Sequence, residues 1–177
     1  HRHRARGAAL MPRVFLSLGS NIDARRHLAA ALDALAARFG QLALSPVYES
    51  PAVGFAGDNF LNLVVGIDTD LAVGALAREL RAIEEANQRQ RGAAKFCSRT
   101  LDIDILTYGD CRGVIDGVQL PRDEILRYAF VLRPLADLAP DARHPGCHKS
   151  YRELASELSF PDQPLWPVAF CWPAAAP

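Results

Sequence analysis

Two aspartates separated by one residue carry the clearest chemical signal in the sequence. Asp102 and Asp104 alternate with Leu101, Ile103 and Ile105, and this is the period of a β-strand, in which residues i and i+2 point to the same face. Two carboxylates held so close repel each other, and a divalent cation would relieve the repulsion. Hard oxygen ligands in this arrangement suit Mg²⁺ bridged to phosphates. The alternative is a solvated strand face that carries two acids.

A basic segment leads directly into this acidic strand. Between residues 89 and 99 it carries Arg89, Arg91, Lys95 and Arg99. Cations beside carboxylates fit a polyphosphate, because the acids can hold a metal ion while the arginines hold the phosphate oxygens. The alternative is a solvated basic loop.

An aromatic residue and an amide also share one face of a predicted strand. Phe60 and Asn62 are two residues apart. A ring beside a carboxamide would suit a flat heterocycle, which could stack on the ring and hydrogen-bond to the amide. The alternative is a core phenylalanine next to an asparagine at a strand end.

The composition predicts a single domain and restricts its partners. The chain has 177 residues, half of them apolar, and a formal net charge of zero. Such a length supports one domain with a hydrophobic core. Zero net charge argues against nucleic acid or an anionic membrane surface as the main partner, and no apolar run is long enough to span a bilayer.

The chain ends and the cysteines support further expectations. No apolar signal-peptide core follows the basic start, so we expect a cytoplasmic protein with reduced thiols. None of the four cysteines forms a C-x-x-C pair, so a zinc site is not expected. Met11 is a plausible start, which makes residues 1–10 an appendage. We predict one domain over residues 11–160 and a tail rich in proline and tryptophan over residues 161–177.

Apolar periodicity predicts the elements that position these residues. The order strand, helix, strand, strand, helix, strand is the split βαβ arrangement. We therefore predict an α+β fold with a ferredoxin-like βαββαβ core, an added hairpin and short C-terminal helices, in three αβα layers. The predicted strands cover residues 14–18, 42–49, 60–67 and 101–107. One helix follows an N-cap at Asp23, and a second covers residues 71–86. A hairpin is predicted to turn at Asp116-Gly117, and short helices are predicted near residues 134–138 and 151–158.

Several motifs together resemble a known family, the 6-hydroxymethyl-7,8-dihydropterin pyrophosphokinases of folate biosynthesis. They occur in the family's order and spacing and span roughly residues 13–140. The matching pieces are Leu18-Gly19-Ser20-Asn21, Tyr48-Glu49-Ser50-Pro51-Ala52-Val53-Gly54, Phe60-Leu61-Asn62, Ile83-Glu84, Arg89-Gln90-Arg91 and Arg99-Thr100-Leu101-Asp102-Ile103-Asp104.

The resemblance implies an activity and a set of site residues. It implies transfer of pyrophosphate from ATP, the co-substrate, to the hydroxymethyl group of the pterin, giving AMP, with two Mg²⁺ ions bound. Separately, we expect a monomer. Asp102 and Asp104 would be the metal ligands. The catalytic residues would be Arg89, Arg99, Asp102 and Asp104; the pterin contacts Ser50, Val53, Phe60, Asn62 and Phe130; and the nucleotide contacts Arg89, Arg91, Arg99, Ile105 and Arg122.

The sequence departs from the family pattern at a few positions, and two other functions stay open. Phe96 stands where the family often has tryptophan, Arg122 where a histidine is common, and Asp123 where some members carry tyrosine. One alternative is a paralogue that acts on a related pterin alcohol. The other is a non-catalytic ferredoxin-like binding module, which should show a basic face.

Overall fold

The chain folds around one antiparallel sheet, seen in a computed structural model that describes residues 11–52, 56–87 and 100–173. Some positions named in the sequence analysis lie outside the described residues: residues 1–10, Val53, Arg89, Arg91, Phe96 and Arg99. In chain order the elements are β1 (Arg13–Ser20), α1 (Ala24–Phe39), β2 (Ala43–Leu44), β3 (Val47–Ser50), β4 (Phe60–Asp68), α2 (Val73–Ala86), β5 (Asp102–Tyr108), β6 (Gly113–Ile115), β7 (Val118–Leu120), α3 (Glu124–Arg127), α4 (Ala129–Leu138), α5 (Tyr151–Glu157) and β8 (Trp166–Val168).

The main sheet has the strand order β5-β1-β4-β3-β8, with β2 also paired to β4. Every pairing in it is antiparallel. Because α1 connects β1 to β3 and α2 connects β4 to β5, each crossover passes over one intervening strand. The predicted ferredoxin-like βαββαβ core is confirmed, as is the hairpin, which β6 and β7 form at Asp116-Gly117.

Helices cover both faces of the sheet. On one face, leucines of α1 and α2 such as Leu32 and Leu76 pack against the inward side chains of the strands. On the other face, Leu132 and Leu135 of α4 and Tyr151 of α5 pack on Val64 and Leu106. The predicted three αβα layers are confirmed. We call the second face the α4 face.

The strand predicted over residues 42–49 is wrong as one element. It divides into β2 and β3 at Ser45-Pro46. Proline cannot donate a ladder hydrogen bond. The Ser45 hydroxyl instead accepts from the Val64 backbone N–H at 2.8 Å, and the Ser45 N–H donates to the Val64 carbonyl at 2.9 Å. The strand is therefore interrupted at Ser45-Pro46, although apolar residues continue on both sides of the break.

Asp23 occupies the predicted N-cap position of α1 but does not cap the helix. Its backbone is left-handed, with φ of 46°, and its side chain accepts no capping hydrogen bond. The carboxylate instead pairs with the guanidinium of Arg26 at 2.6 Å. The residue type was predicted correctly for the position, but the capping interaction was not.

The C-terminal part is more regular than the sequence suggests. The helix predicted near residues 134–138 begins earlier, at Ala129, and α3 precedes it. The tail adds β8 to the sheet beside β3. No helix of the described residues is long and apolar enough to cross a membrane. The predicted division into residues 1–10, 11–160 and 161–177 stays a prediction.

Candidate active site

The two aspartates lie on β5, at an open edge of the sheet. Asp102 and Asp104 alternate with the buried residues Ile103 and Ile105, which face α1 and α2. Leu106, two residues after Asp104, packs in the core under α4. The two carboxylates therefore project on the α4 face, as the strand period predicts.

Further charged groups from other elements surround the aspartates. The Glu84 carboxylate, at the end of α2, accepts a hydrogen bond from the Ile103 N–H at 3.0 Å. Arg122 Nη2 lies 3.5 Å from Asp104 Oδ1, and the Nε of the same guanidinium contacts Glu124. Four acidic side chains thus lie around Arg122 at this edge, and Arg81 of α2 lines the cavity beside them.

Burial of the carboxylates, together with their closeness to one another, changes the protonation of the site. Burial, together with the charge of Asp102, raises the pKa of Asp104 to about 7 against the opposing charge of Arg122. Burial and the neighbouring Asp102 likewise raise the pKa of Glu84 to about 7, although the hydrogen bond from the Ile103 N–H opposes the shift. These carboxylates would bind a cation readily, because a positive charge removes the cost of ionising them together.

A cavity of about 450 Å³ opens beside the carboxylates. It lies between α2, β5 and the β6–β7 hairpin, and its lining includes Asp104, Ile105, Arg122 and Glu124. Its volume is within the range of small-ligand pockets. The predicted nucleotide contacts Ile105 and Arg122 therefore lie in one cavity, together with one of the aspartates.

A row of paired residues connects the predicted pterin contacts with Asp102. Tyr48 pairs with Asn62, Asn62 with Gly19, and Gly19 with Asp102. Two residues further along β3, Ser50 pairs with Phe60, and this is the next pair on the same face of the sheet. Since neighbouring strands lie about 4.8 Å apart, Asn62 and Asp102 are about 10 Å apart across the sheet.

The predicted pterin contacts within the described residues share the α4 face with the aspartates. Phe60, Asn62 and Val64 are successive i, i+2 residues of β4, so their side chains share one face, and Val64 packs under α4. Ser50 and Asn62 are both buried. Phe130 lies in α4 itself, and its ring stacks on Tyr128 with centroids 5.1 Å apart and planes 20° apart. The structure thus brings one aromatic from the sheet and one from the covering helix to the same side.

Three residues of this region were missed by the sequence reasoning as site residues. Glu84, Glu124 and Tyr128 lie on elements other than β5 and reach the site only through tertiary packing. For Glu84 a signal existed, because Ile83-Glu84 is one of the motif pieces quoted above, although no role was attached to it. For Glu124 and Tyr128 the sequence offers no comparable signal.

The donor set bears on the predicted metal. Among the described residues, no group of three or more His, Cys, Asp or Glu side chains is arranged to hold a metal ion. Mg²⁺, however, is commonly bound by one or two carboxylates together with water and substrate phosphates. Asp102 and Asp104 supply oxygen ligands of that kind. The residues present therefore fit a magnesium ion that is bound partly by these carboxylates and partly by the oxygens of a polyphosphate.

Comparisons with known proteins agree with one another. The family model described as 7,8-dihydro-6-hydroxymethylpterin-pyrophosphokinase (HPPK) matches residues 15–140. A 2-amino-4-hydroxy-6-hydroxymethyldihydropteridine pyrophosphokinase of Pseudomonas aeruginosa is 40% identical over 141 residues, which are 77% of this chain and 86% of the relative. A protein with the same description from Methylorubrum extorquens is 40% identical over 135 residues, covering 74% of this chain and 85% of the relative.

The solved structures support the fold. Plasmodium falciparum HPPK-DHPS wild type with pterin and p-hydroxybenzoate superposes with a TM-score of 0.63 and 16% sequence identity. The match covers 82% of this chain but only 43% of that longer chain. At this identity the likeness concerns the α+β fold.

Proposed function

The chain belongs to the 7,8-dihydro-6-hydroxymethylpterin-pyrophosphokinase family, and we propose that it joins its two substrates between Asn62 and Asp102, with the pterin on the α4 face and the nucleotide in the cavity at the β5 edge, beside α2. It is an ATP-dependent enzyme that transfers pyrophosphate from ATP to 6-hydroxymethyl-7,8-dihydropterin in folate biosynthesis. The row Asn62, Gly19, Asp102 carries the proposal for the location. It places an amide suited to a heterocycle on the same face as a carboxylate pair suited to metal-bound phosphates.

On the phosphate side we assign Asp102 and Asp104 as the ligands of two Mg²⁺ ions. When bound, the ions would neutralise phosphate charge and polarise the phosphorus that is attacked. Arg122, in the cavity beside Asp104, would hold an oxygen of the nucleotide phosphates, and Ile105 would contact the nucleotide. From the sequence alone, Arg89, Arg91 and Arg99 would hold further phosphate oxygens.

On the pterin side we assign Ser50, Phe60, Asn62 and Phe130. The two rings would stack on the pterin, and the Asn62 carboxamide would donate to and accept from its polar edge. Their common position on the α4 face supports this assignment. Val53 belongs to the same group on sequence grounds alone.

The arrangement supports catalysis mainly by position. The pterin hydroxymethyl oxygen must form a bond to the β-phosphorus of ATP as the bond from that phosphorus to the α-phosphate oxygen breaks and AMP leaves. Holding both substrates in line removes the entropic cost of their encounter. The span of about 10 Å between Asn62 and Asp102 leaves room for a pterin ring and its hydroxymethyl arm. The chain's own task is to fix that geometry and balance the phosphate charge.

Mass spectrometry of the products tests the function directly. With ATP, Mg²⁺ and 6-hydroxymethyl-7,8-dihydropterin, we expect AMP and the pterin pyrophosphate in equal amounts. ADP with a pterin monophosphate would contradict pyrophosphoryl transfer. Turnover only with a different pterin alcohol would identify the paralogue. Absence of AMP formation with any pterin alcohol would identify the non-catalytic binding module.

The proposal also covers magnesium dependence, partners and location. We propose a cytoplasmic monomer that binds small molecules and neither nucleic acid nor membranes, and the zero net charge supports the absence of polyanionic partners. Light scattering tests the monomer. Loss of AMP formation on chelation, with recovery when Mg²⁺ is added back, tests the metal.

A further inference from the structure

The segment after α5 is attached to three separate parts of the domain. Trp166 Nε1 donates to the Glu49 carboxylate at 2.9 Å, and Trp172 Nε1 donates to the Asp33 carboxylate at 2.9 Å. Gln163 contacts the junction between α3 and α4. The family match ends at residue 140, before this segment begins. The contacts of Gln163 are therefore a feature of this chain that the family match does not assign.

The side chain of Gln163 holds the backbone on both sides of Tyr128. Its Oε1 accepts from the Ala129 N–H at 2.8 Å. Its Nε2 donates to the Arg127 carbonyl at 3.0 Å. Both ends of one carboxamide are thus used, and they contact the peptide groups that immediately precede and follow one residue.

The backbone at Tyr128 explains why a carboxamide fits there. Tyr128 is extended, with φ of −128° and ψ of 125°. In an extended residue the preceding C=O and the following N–H point to the same side, so a side chain that carries one donor and one acceptor can satisfy both. The contact imitates one step of a β-ladder. The Tyr128 side chain makes no capping hydrogen bond to α4. Gln163 therefore accepts the hydrogen bond of the Ala129 N–H, which is the first backbone donor of that helix.

The residues next to this contact form an aromatic stack. The Tyr128 ring stacks on the Phe130 ring. The Arg127 Cζ atom lies over the Tyr128 ring, 5.9 Å from its centroid. Phe130 follows Ala129 directly. A rotation of either peptide group beside Tyr128 would therefore move both rings of the stack.

We propose that Gln163 is a positioning residue for pterin binding, which it supports by fixing the backbone that carries Tyr128 and Phe130. This inference rests on the proposed role of Phe130 in the pterin site. Gln163 itself need not touch the pterin. It sets the position and angle of the ring that does, and it does so from the segment beyond the family match.

Two substitutions separate the two hydrogen bonds. Gln163→Ala removes both. Gln163→Glu has nearly the same shape and keeps the acceptor for Ala129, but at neutral pH it has no donor for the Arg127 carbonyl and places oxygen against oxygen. A third variant, Trp172→Phe, serves as the matched control, because it removes a hydrogen bond of the same segment to Asp33 on α1, away from the α4 face.

Calorimetric titration with the pterin, in the presence of Mg²⁺ and a non-hydrolysable ATP analogue, measures the effect. We expect both Gln163 variants to weaken pterin binding about fivefold or more, as loss of one or two hydrogen bonds would. Affinity for the ATP analogue should stay within about twofold of the parent. In steady-state kinetics the pterin KM should rise more than kcat falls. Trp172→Phe should bind both ligands like the parent.

The same measurements can overturn the inference. It is wrong if both folded Gln163 variants bind pterin like the parent, if they lose affinity for the ATP analogue to the same extent, or if Trp172→Phe loses as much pterin affinity. If Gln163→Ala does not fold, Gln163→Glu decides the question alone. Failure of the proposed function has a different signature, since the parent enzyme would then form no AMP with the pterin.

Discussion

The side-chain amide of Asn62 lies directly over Gly19 on the neighbouring strand. A Cβ atom added at Gly19 would stand only 2.5 Å from Asn62 Nδ2. Gly19 is also the residue that pairs with Asp102. The missing side chain at this position therefore leaves the space in which the amide lies, between β4 and the strand that carries the carboxylates.

Gly19→Ala should weaken pterin binding because the new methyl group must displace the Asn62 amide. Losing the amide's hydrogen bonds to a bound pterin would cost roughly 1–3 kcal/mol, or about five- to 150-fold in affinity. Titration of the folded variant with pterin measures it. Gly66→Ala is the control: its Cβ would meet the flexible end of Arg13 at 2.7 Å, at the far end of β4. Equal pterin affinity for Gly19→Ala and the parent would contradict the role of Asn62.

Asp102→Asn and Asp104→Asn should each abolish nearly all turnover while the protein stays folded. Removing a ligand of a catalytic metal ion should cost more than about a thousandfold in rate. Stability should not fall greatly, because both changes remove a negative charge from a cluster of acids. AMP formation and urea unfolding measure the two effects. Asp110→Asn, in the turn after β5, is the control, and turnover near that of the parent by a folded Asp102 or Asp104 variant would refute the metal assignment.

Phe60→Ala and Asn62→Leu should weaken pterin binding and spare the nucleotide. Loss of a stacking ring costs about 1 kcal/mol or more, and an unpaired pterin edge costs roughly 1–3 kcal/mol. Separate titrations with pterin and with an ATP analogue distinguish the two ligands. Phe39→Ala removes a ring that packs on the opposite face of the sheet and is the control. If both site variants bind pterin normally, the pterin site lies elsewhere.

His144 should make the domain less stable in mild acid. It is buried, and its Nδ1 accepts from the backbone N–H groups of Gly146 and Cys147 at 3.0 and 3.3 Å. Burial lowers its pKa, and the charges of Arg112 and His148 lower it further. The folded chain thus keeps this ring neutral where the unfolded chain, with an ordinary pKa of about 6.5, takes up a proton.

The sign follows from proton uptake. Below about pH 6.5 and down to the lowered pKa of the folded state, the unfolded chain binds more protons, so the free energy of unfolding falls as the pH falls. Urea unfolding at a series of pH values should show this loss in the parent and a smaller loss in His144→Gln. His148→Asn replaces an exposed ring at a position with φ of 62° that asparagine tolerates. Because it removes one of the charges that lower the pKa of His144, its loss of stability in acid should lie between those of the parent and His144→Gln. Identical pH profiles for the parent and His144→Gln would exclude this mechanism.

The sequence predicts the parts of the site that depend on local period. The alternation around Asp102 and Asp104, and the i, i+2 spacing of Phe60 and Asn62, give the correct faces because a strand repeats every two residues. Gln163 was not predictable, since its partners lie more than thirty residues away and nothing in the local pattern marks it. The break at Ser45-Pro46 was missed because Leu42, Leu44 and Tyr48 keep the period of a strand across it, although Pro46 is itself a local signal against a continuous strand.

The pairing of β8 with β3 also affects how the sheet meets other molecules. β8 is three residues long and has Pro167 at its centre, so it offers few backbone groups to a further strand. At the opposite edge, the Ile103 N–H of β5 is already taken by Glu84. Each end of the sheet, as far as the described residues extend, thus offers fewer free backbone groups to which a further strand could pair.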